Sequence, residues 1–106
     1  MLIDVSATAR EADIRWPVAL TAAVWAQCVA VPPGVVCQDE AGRLWDIVWM
    51  FRCASSGRTT GNVVPFALHV RNDNRDRTPP LVRLNGVIGP GDDGEPVVTV
   101  MRPDED

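Results

Sequence analysis

Asp39-Glu40-Ala41-Gly42-Arg43-Leu44-Trp45-Asp46-Ile47-Val48-Trp49-Met50-Phe51-Arg52-Cys53-Ala54 is the stretch on which the fold turns. Leu44, Ile47, Val48, Phe51 and Ala54 recur at helical spacing and share one face. Trp45, Trp49 and the stem of Arg52 form a second stripe beside it, and Met50 lies across. The pattern predicts a central helix of about four turns. A helix apolar on more than one side is normally buried on more than one side. A sheet on one face and a second layer on the other are therefore expected. Asp39 is the expected cap, and Asp39 with Glu40 suits the positive helix end. Ser55-Ser56-Gly57 closes it, with Gly57 expected in the left-handed conformation.

Upstream, Leu2 to Val5 reads as a short strand and Ser6 as the cap of a brief helix, Ala7 to Ala12. Ile14 to Leu20 is extended. Pro17 points to an edge strand, where a missing N–H is tolerated. Thr21 is a good cap for a second helix, Ala22 to Ala30, which Pro32-Pro33-Gly34 stops.

After residue 57 the period changes to two. Val63 to Val70 reads as a strand with Val64, Phe66, Leu68 and Val70 on one face. Arg71 to Pro80 is a polar connection. Leu81 to Ile88 is a second strand, with a bulge expected at Gly86. Gly89 to Gly94 is a turn cluster, and Pro96 to Met101 a third strand. The expected architecture is α+β: two to three helices on one face of a C-terminal three-stranded antiparallel sheet, with the N-terminal strand a candidate additional edge.

At 106 residues the chain fits one domain, 1–106, with 103–106 an acidic tail. The net charge of −4 weighs against nonspecific DNA binding, which needs a positive footprint. All ten basic residues are Arg, which GC-rich coding or a use in bidentate contacts would each explain. No apolar run reaches the roughly 20 residues that span a bilayer, and no secretion signal is evident at Met1-Leu2-Ile3-Asp4. The expected setting is the cytoplasm, with no membrane partner.

Chemistry-bearing residues are sparse. His69 is the only histidine and alternates with Leu68 and Val70, which places it on the polar side of a strand. Cys28, Cys37 and Cys53 form no CxxC pair, and Cys28 and Cys53 are expected to act as small apolar residues on helical faces. No catalytic residue, metal site or cofactor is expected, and an enzyme is the least favoured class. Gly89-Pro90-Gly91-Asp92-Asp93-Gly94-Glu95 has no Lys and two carboxylates where a phosphate would sit. It reads as a hairpin turn or as a contact loop. The last fifteen residues hold six carboxylates and one Arg. They form either a solvated end or a surface imitating phosphate charge. Asp92, Asp93 and Glu95 are the first candidates for partner contact. Trp45 and Arg52 are the second, since Trp45 and Trp49 are either core or an exposed hot spot.

Asp4-Val5-Ser6, Thr8 to Ala12, Pro17 to Trp25, Gln38 to Met50 and Gly89 to Met101, with the acidic end Pro103 to Asp106, together resemble a known family. It comprises short uncharacterised proteins carried on bacterial plasmids and other mobile elements, known only as a domain of unknown function. The resemblance implies a mobile-element setting and no reaction. By analogy, small acidic proteins there resemble inhibitors of host defence such as anti-CRISPR proteins. The preferred expectation is a non-enzymatic interaction protein binding a basic surface on a host defence or nuclease complex. The alternatives are a nucleic-acid accessory protein using the Arg71–Arg77 loop and a homo-oligomeric module using Trp45 and Trp49.

Overall fold

The computed structural model describes residues 1–57 and 61–105. Asp106, counted above with the acidic tail, lies outside them. The elements in order are β1 (Leu2–Asp4), α1 (Ser6–Glu11), β2 (Val18–Thr21), α2 (Ala22–Val24) running into a π-helical turn (Trp25–Val29), α3 (Glu40–Ser56), β3 (Val63–His69), β4 (Leu81–Pro90) and β5 (Pro96–Met101). The fold is α+β. Its sheet has five strands in the order β1-β2-β5-β4-β3, not three. β3, β4 and β5 form the expected antiparallel meander. β2 then pairs parallel with β5, and β1 pairs antiparallel with β2.

The segment expected at an edge is thus interior. Pro17 is compatible with this because it precedes the strand, and its carbonyl accepts from the Val98 amide at 2.9 Å. Val18, Leu20, Val98, Val100, Leu84, Val64, Phe66 and Leu68 project from one face of the sheet into the core. Ile47, Val48 and Phe51 of α3 meet them there, with Val24, Cys28 and Val29 of the second helical segment and Ala9 of α1. The opposite sheet face, with Ala19, Val87, Val97, Thr99 and Met101, is only partly buried.

Several local expectations change. Asp39 caps α3 through a 2.6 Å bond from the Gly42 amide, as expected. Gly57 is not left-handed, at φ −93°. Ser6 does not cap α1. Its hydroxyl donates to Asp4 Oδ1 at 2.6 Å and accepts from the Val18 amide at 3.1 Å, tying the helix start to β2. At the other end of α1, Ile14 N–H reaches Ala9 O and Asp13 N–H reaches Arg10 O, with Asp13 left-handed at φ 65°. That closure normally takes glycine, and Asp tolerates it. Thr21 caps α2 as expected, accepting from the Val24 amide. The helix it starts is not α throughout. Ala30 N–H reaches back five residues to Trp25 O, and the wider turn lets neighbouring Cys28 and Val29 both face inward.

Gly86 is not a bulge. It stays in register between Val64 and Val100. Its missing side chain is filled by the Phe51 ring, since a Cβ there would overlap Phe51 Cε1 and Cδ1. The ring also packs edge-on against Phe66.

The one buried charge among the described residues is Arg43, 6% exposed. Cys28 O lies four and five residues before Pro32 and Pro33, which have no N–H, so the helix leaves that carbonyl without a donor. Arg43 Nε–H supplies one at 2.9 Å. One terminal nitrogen donates to Arg71 O at 2.6 Å and Gln38 Oε1 at 3.5 Å. The other donates to Asn72 Oδ1 at 2.7 Å and Gln27 O at 3.4 Å. The fork so joins the end of the π-turn, the start of α3 and the loop after β3. Its charge also suits the negative end of the helix it closes.

Arg43→Ala should cost about 3 kcal/mol, since it strands buried acceptors bonded to a charged donor. That is a fall of roughly 12–24 °C in Tm for a domain of this size. Arg43→Lys should recover only part of it, because a point charge cannot serve a fork. Thermal melts by circular dichroism measure both. Gly86→Ala should cost about 1–3 kcal/mol through displacement of Phe51, and a chemical melt unchanged from wild type would contradict the packing.

Candidate protein-interaction surfaces

The β4–β5 ladder ends at the pair Pro90 and Pro96. Gly91 N–H closes the turn on Glu95 O at 2.7 Å, and Gly94, at φ 84°, donates to Gly91 O at 3.0 Å. Glycine is needed at 94 because few L-residues adopt that angle. Gly91 leaves room for the Glu95 carboxylate, which folds back over it. Asp92 and Asp93 are exposed at the tip. Below them, on the less covered sheet face, is a hollow of about 540 Å³. Val87, Val97, Thr99 and Met101 line it from the sheet, Leu2 and Pro17 from the side, and Asp92, Asp93 and Glu95 from the acidic end. The structure therefore joins the three acidic candidates to an apolar floor.

The acidic tail is elsewhere. Glu105 accepts from Thr21 Oγ1 at 2.9 Å and from the Arg102 amide at 2.8 Å. Asp104 takes two bonds from the Arg102 guanidinium, which holds its carboxyl below the usual range. These contacts pin the tail at the end of β5 remote from the acidic turn, so turn and tail do not merge into one acidic face.

Trp45 and Arg52 lie together, apart from the acidic turn. Trp45 stacks on Trp49 with ring centroids 5.9 Å apart and planes 15° from parallel. The Arg52 guanidinium lies 5.5 Å from the Trp49 ring centre and 3.6 Å from Asp13. Trp45 packs against the core, whereas Trp49 is 42% exposed. The ladder is thus core at one end and surface at the other. Met50 is exposed too, so α3 is not covered all round.

Sequence reasoning missed the cleft beside this ladder, between α3 and β3. It measures about 420 Å³ and is lined by Asp46, Trp49 and Met50 on the helix and by Ala67, Leu68, His69 and Leu81 on the sheet. Burial raises the Asp46 carboxyl above the usual range. His69 is exposed, as expected on the polar side of its strand. Its Nδ1–H donates to Pro79 O at 2.7 Å. The available signal was Met50, an apolar residue outside both stripes of its helix.

The Arg71–Arg77 loop folds on itself. Arg71 donates to Arg75 O and Arg77 O at 2.6 and 2.8 Å, and Arg77 pairs with Asp73 at 2.8 Å. Asn74 bridges Gly34 O and the Val36 amide, and Asn72 reaches Gln27 O. Two of its three guanidiniums are thus committed within the loop, which weakens it as a nucleic-acid contact. Cys28 is buried as expected, but Cys53 is exposed, as is Cys37. Cys53 shares its helix face with Met50 and Trp49, three and four residues back, and both of these are exposed. Among the described residues no group of three His, Cys, Asp or Glu side chains is placed to hold a metal ion, and no helix is long and apolar enough to cross a membrane.

These features define a small α+β domain with an acidic-rimmed apolar hollow on one sheet face and an aromatic cleft at one sheet edge. The chain belongs to DUF6573, a family of unknown function, whose model matches residues 1–106. No curated protein and no solved structure matches it.

Burial pushes the Cys28 thiol up to about 11. An unfolded thiol ionises near 8.5. The folded state favours the protonated form, so this stabilisation is complete below about pH 8.5 and is lost as pH rises towards 11. In the native chain at pH 8, Ellman's reagent should titrate Cys37 and Cys53 quickly and Cys28 only after denaturation. Rapid reaction of all three would contradict the packing.

Proposed function

We propose that this chain is a non-enzymatic interaction protein that docks on a basic surface of a partner protein through the acidic turn and the sheet face beneath it. The observation that carries this reading is the junction of Asp92, Asp93 and Glu95 with the apolar floor of Val87, Val97, Thr99 and Met101. Carboxylates alone give on-rate and salt-sensitive attraction, while an adjoining apolar floor gives the desolvated centre on which affinity depends. A Lys- or Arg-bearing segment with apolar neighbours matches both parts. The sequence resemblance to mobile-element proteins favours a host defence or nuclease complex as the owner of that surface.

The test is a pull-down of purified CRISPR effectors and nucleases with the tagged chain. Retention should fall steeply between low and physiological salt. Asp92→Lys with Asp93→Lys should abolish it while leaving Tm within a few degrees of wild type, since exposed tip residues contribute little to stability. Retention that is unaffected by both salt and charge reversal, or no retained effector or nuclease, would refute this function.

A further inference from the structure

We propose that the free edge of β3 and the cleft beside α3 together take up an extended, Lys- or Arg-bearing peptide segment of a partner protein, which adds to the sheet as a sixth strand. The phase of the ladder identifies the edge. Ile88 N–H donates to Asn62 O at 2.7 Å and Val70 N–H to Pro80 O at 3.0 Å. Bonded pairs alternate in an antiparallel ladder. Asn62, Val64, Phe66, Leu68 and Val70 therefore direct their backbone groups to β4, and Val63, Pro65, Ala67 and His69 direct theirs outward. β3 is the last strand of the sheet, so no neighbouring strand pairs with the Ala67 and His69 amides on that side. Edge strands are usually blunted by charges, bulges or proline. This one carries no Lys, Arg, Asp or Glu, and Pro65 is its single guard. Ala67 and His69 thus offer an unguarded run of donors and acceptors beside exposed Trp49, Met50 and Leu81.

A helix lying along a free edge strand is the geometry of strand addition. The main chain supplies hydrogen bonds and a neighbouring cleft takes alternate side chains. Charge selects the occupant. Asp46, an exposed carboxylate, is the acid in the cleft, and among the described residues no ion pair engages it. A basic side chain complements it. The chain's own acidic tail does not, and Glu105 is already held by Thr21. A second copy fits poorly because its own α3 would arrive over the same seam. Paired strands lie about 4.8 Å apart, whereas packed helices need about 8–10 Å. This site is separate from the acidic hollow, so either can fail without the other.

The test begins with the full chain and a displayed library of peptides of about eight residues, alternating Val or Thr with Lys-containing positions. Selected peptides are resynthesised and titrated by fluorescence anisotropy. The expected Kd is about 10–500 µM. Binding should slow hydrogen exchange at the Ala67 and His69 amides. Ala67→Pro, which removes an edge donor that the fold does not use, should weaken binding at least about tenfold. N-methylation of alternate peptide amides should do the same without touching the protein. Asp46→Asn should weaken the Lys peptide but not its norleucine analogue. Three results would overturn the proposal: no peptide binding below about 1 mM, affinity indifferent to N-methylation, or a free chain that dimerises with the Ala67 and His69 amides already protected.

Discussion

The Arg43 guanidinium is the contact on which the remaining architecture depends. Five N–H groups meet five oxygens drawn from three separate pieces of chain: Gln27 and Cys28, Gln38, and Arg71 and Asn72. None of the five is a carboxylate. A buried ion pair often fails to recover its desolvation cost. Here a single charge is instead solvated by backbone and amide dipoles, among them the Cys28 carbonyl that the helix leaves without a donor. Burial lowers the guanidinium's proton affinity, but from so high a starting point that it stays charged.

Position follows from that contact. With the π-turn closed, Cys28 and Val29 stay packed beneath α3. With Arg71 and Asn72 held, the loop returns to β4 along a path that brings Pro79 to His69. The sheet-side wall of the α3–β3 cleft is therefore set at its loop end by a residue that does not reach solvent. The acidic hollow depends on other constraints: Pro90 and Pro96 flanking the turn, Gly94 at positive φ, and β2 bringing Pro17 beside β5.

Local pattern made half of the fold legible. Val64, Phe66, Leu68 and Val70 alternate, Val98 and Val100 alternate with Val97, Thr99 and Met101, and Ile47, Val48 and Phe51 recur at helical spacing; each of these faces is where its period puts it. What period could not reveal is non-local. β2 pairs parallel with β5 across nearly eighty residues, and Pro17 suggested an edge because its position before the strand, not within it, is invisible in a run of seven apolar and polar residues. Gly86 suggested a bulge because the sequence does not show which ring lies over it. The site divides the same way. Asp92, Asp93 and Glu95 are adjacent in the chain and could be read directly. Their apolar floor required the neighbouring strands, and the separation of turn from tail required the Thr21–Glu105 bond. Arg43 had a readable signal in Pro32-Pro33, two missing donors just past a helix end, although nothing in the chain says which side chain answers it.

Arginine-selective nitrogen-15 NMR on the native chain reads the Arg43 hydrogen bonds themselves. A guanidinium bonded at every N–H cannot rotate freely about its terminal C–N bonds, and its protons exchange slowly. Arg43 should show separate, persistent Nη–H resonances at neutral pH, unlike exposed arginines such as Arg10 and Arg83. Averaged resonances for Arg43, exchanging with water as fast as theirs, would contradict a guanidinium held by buried acceptors.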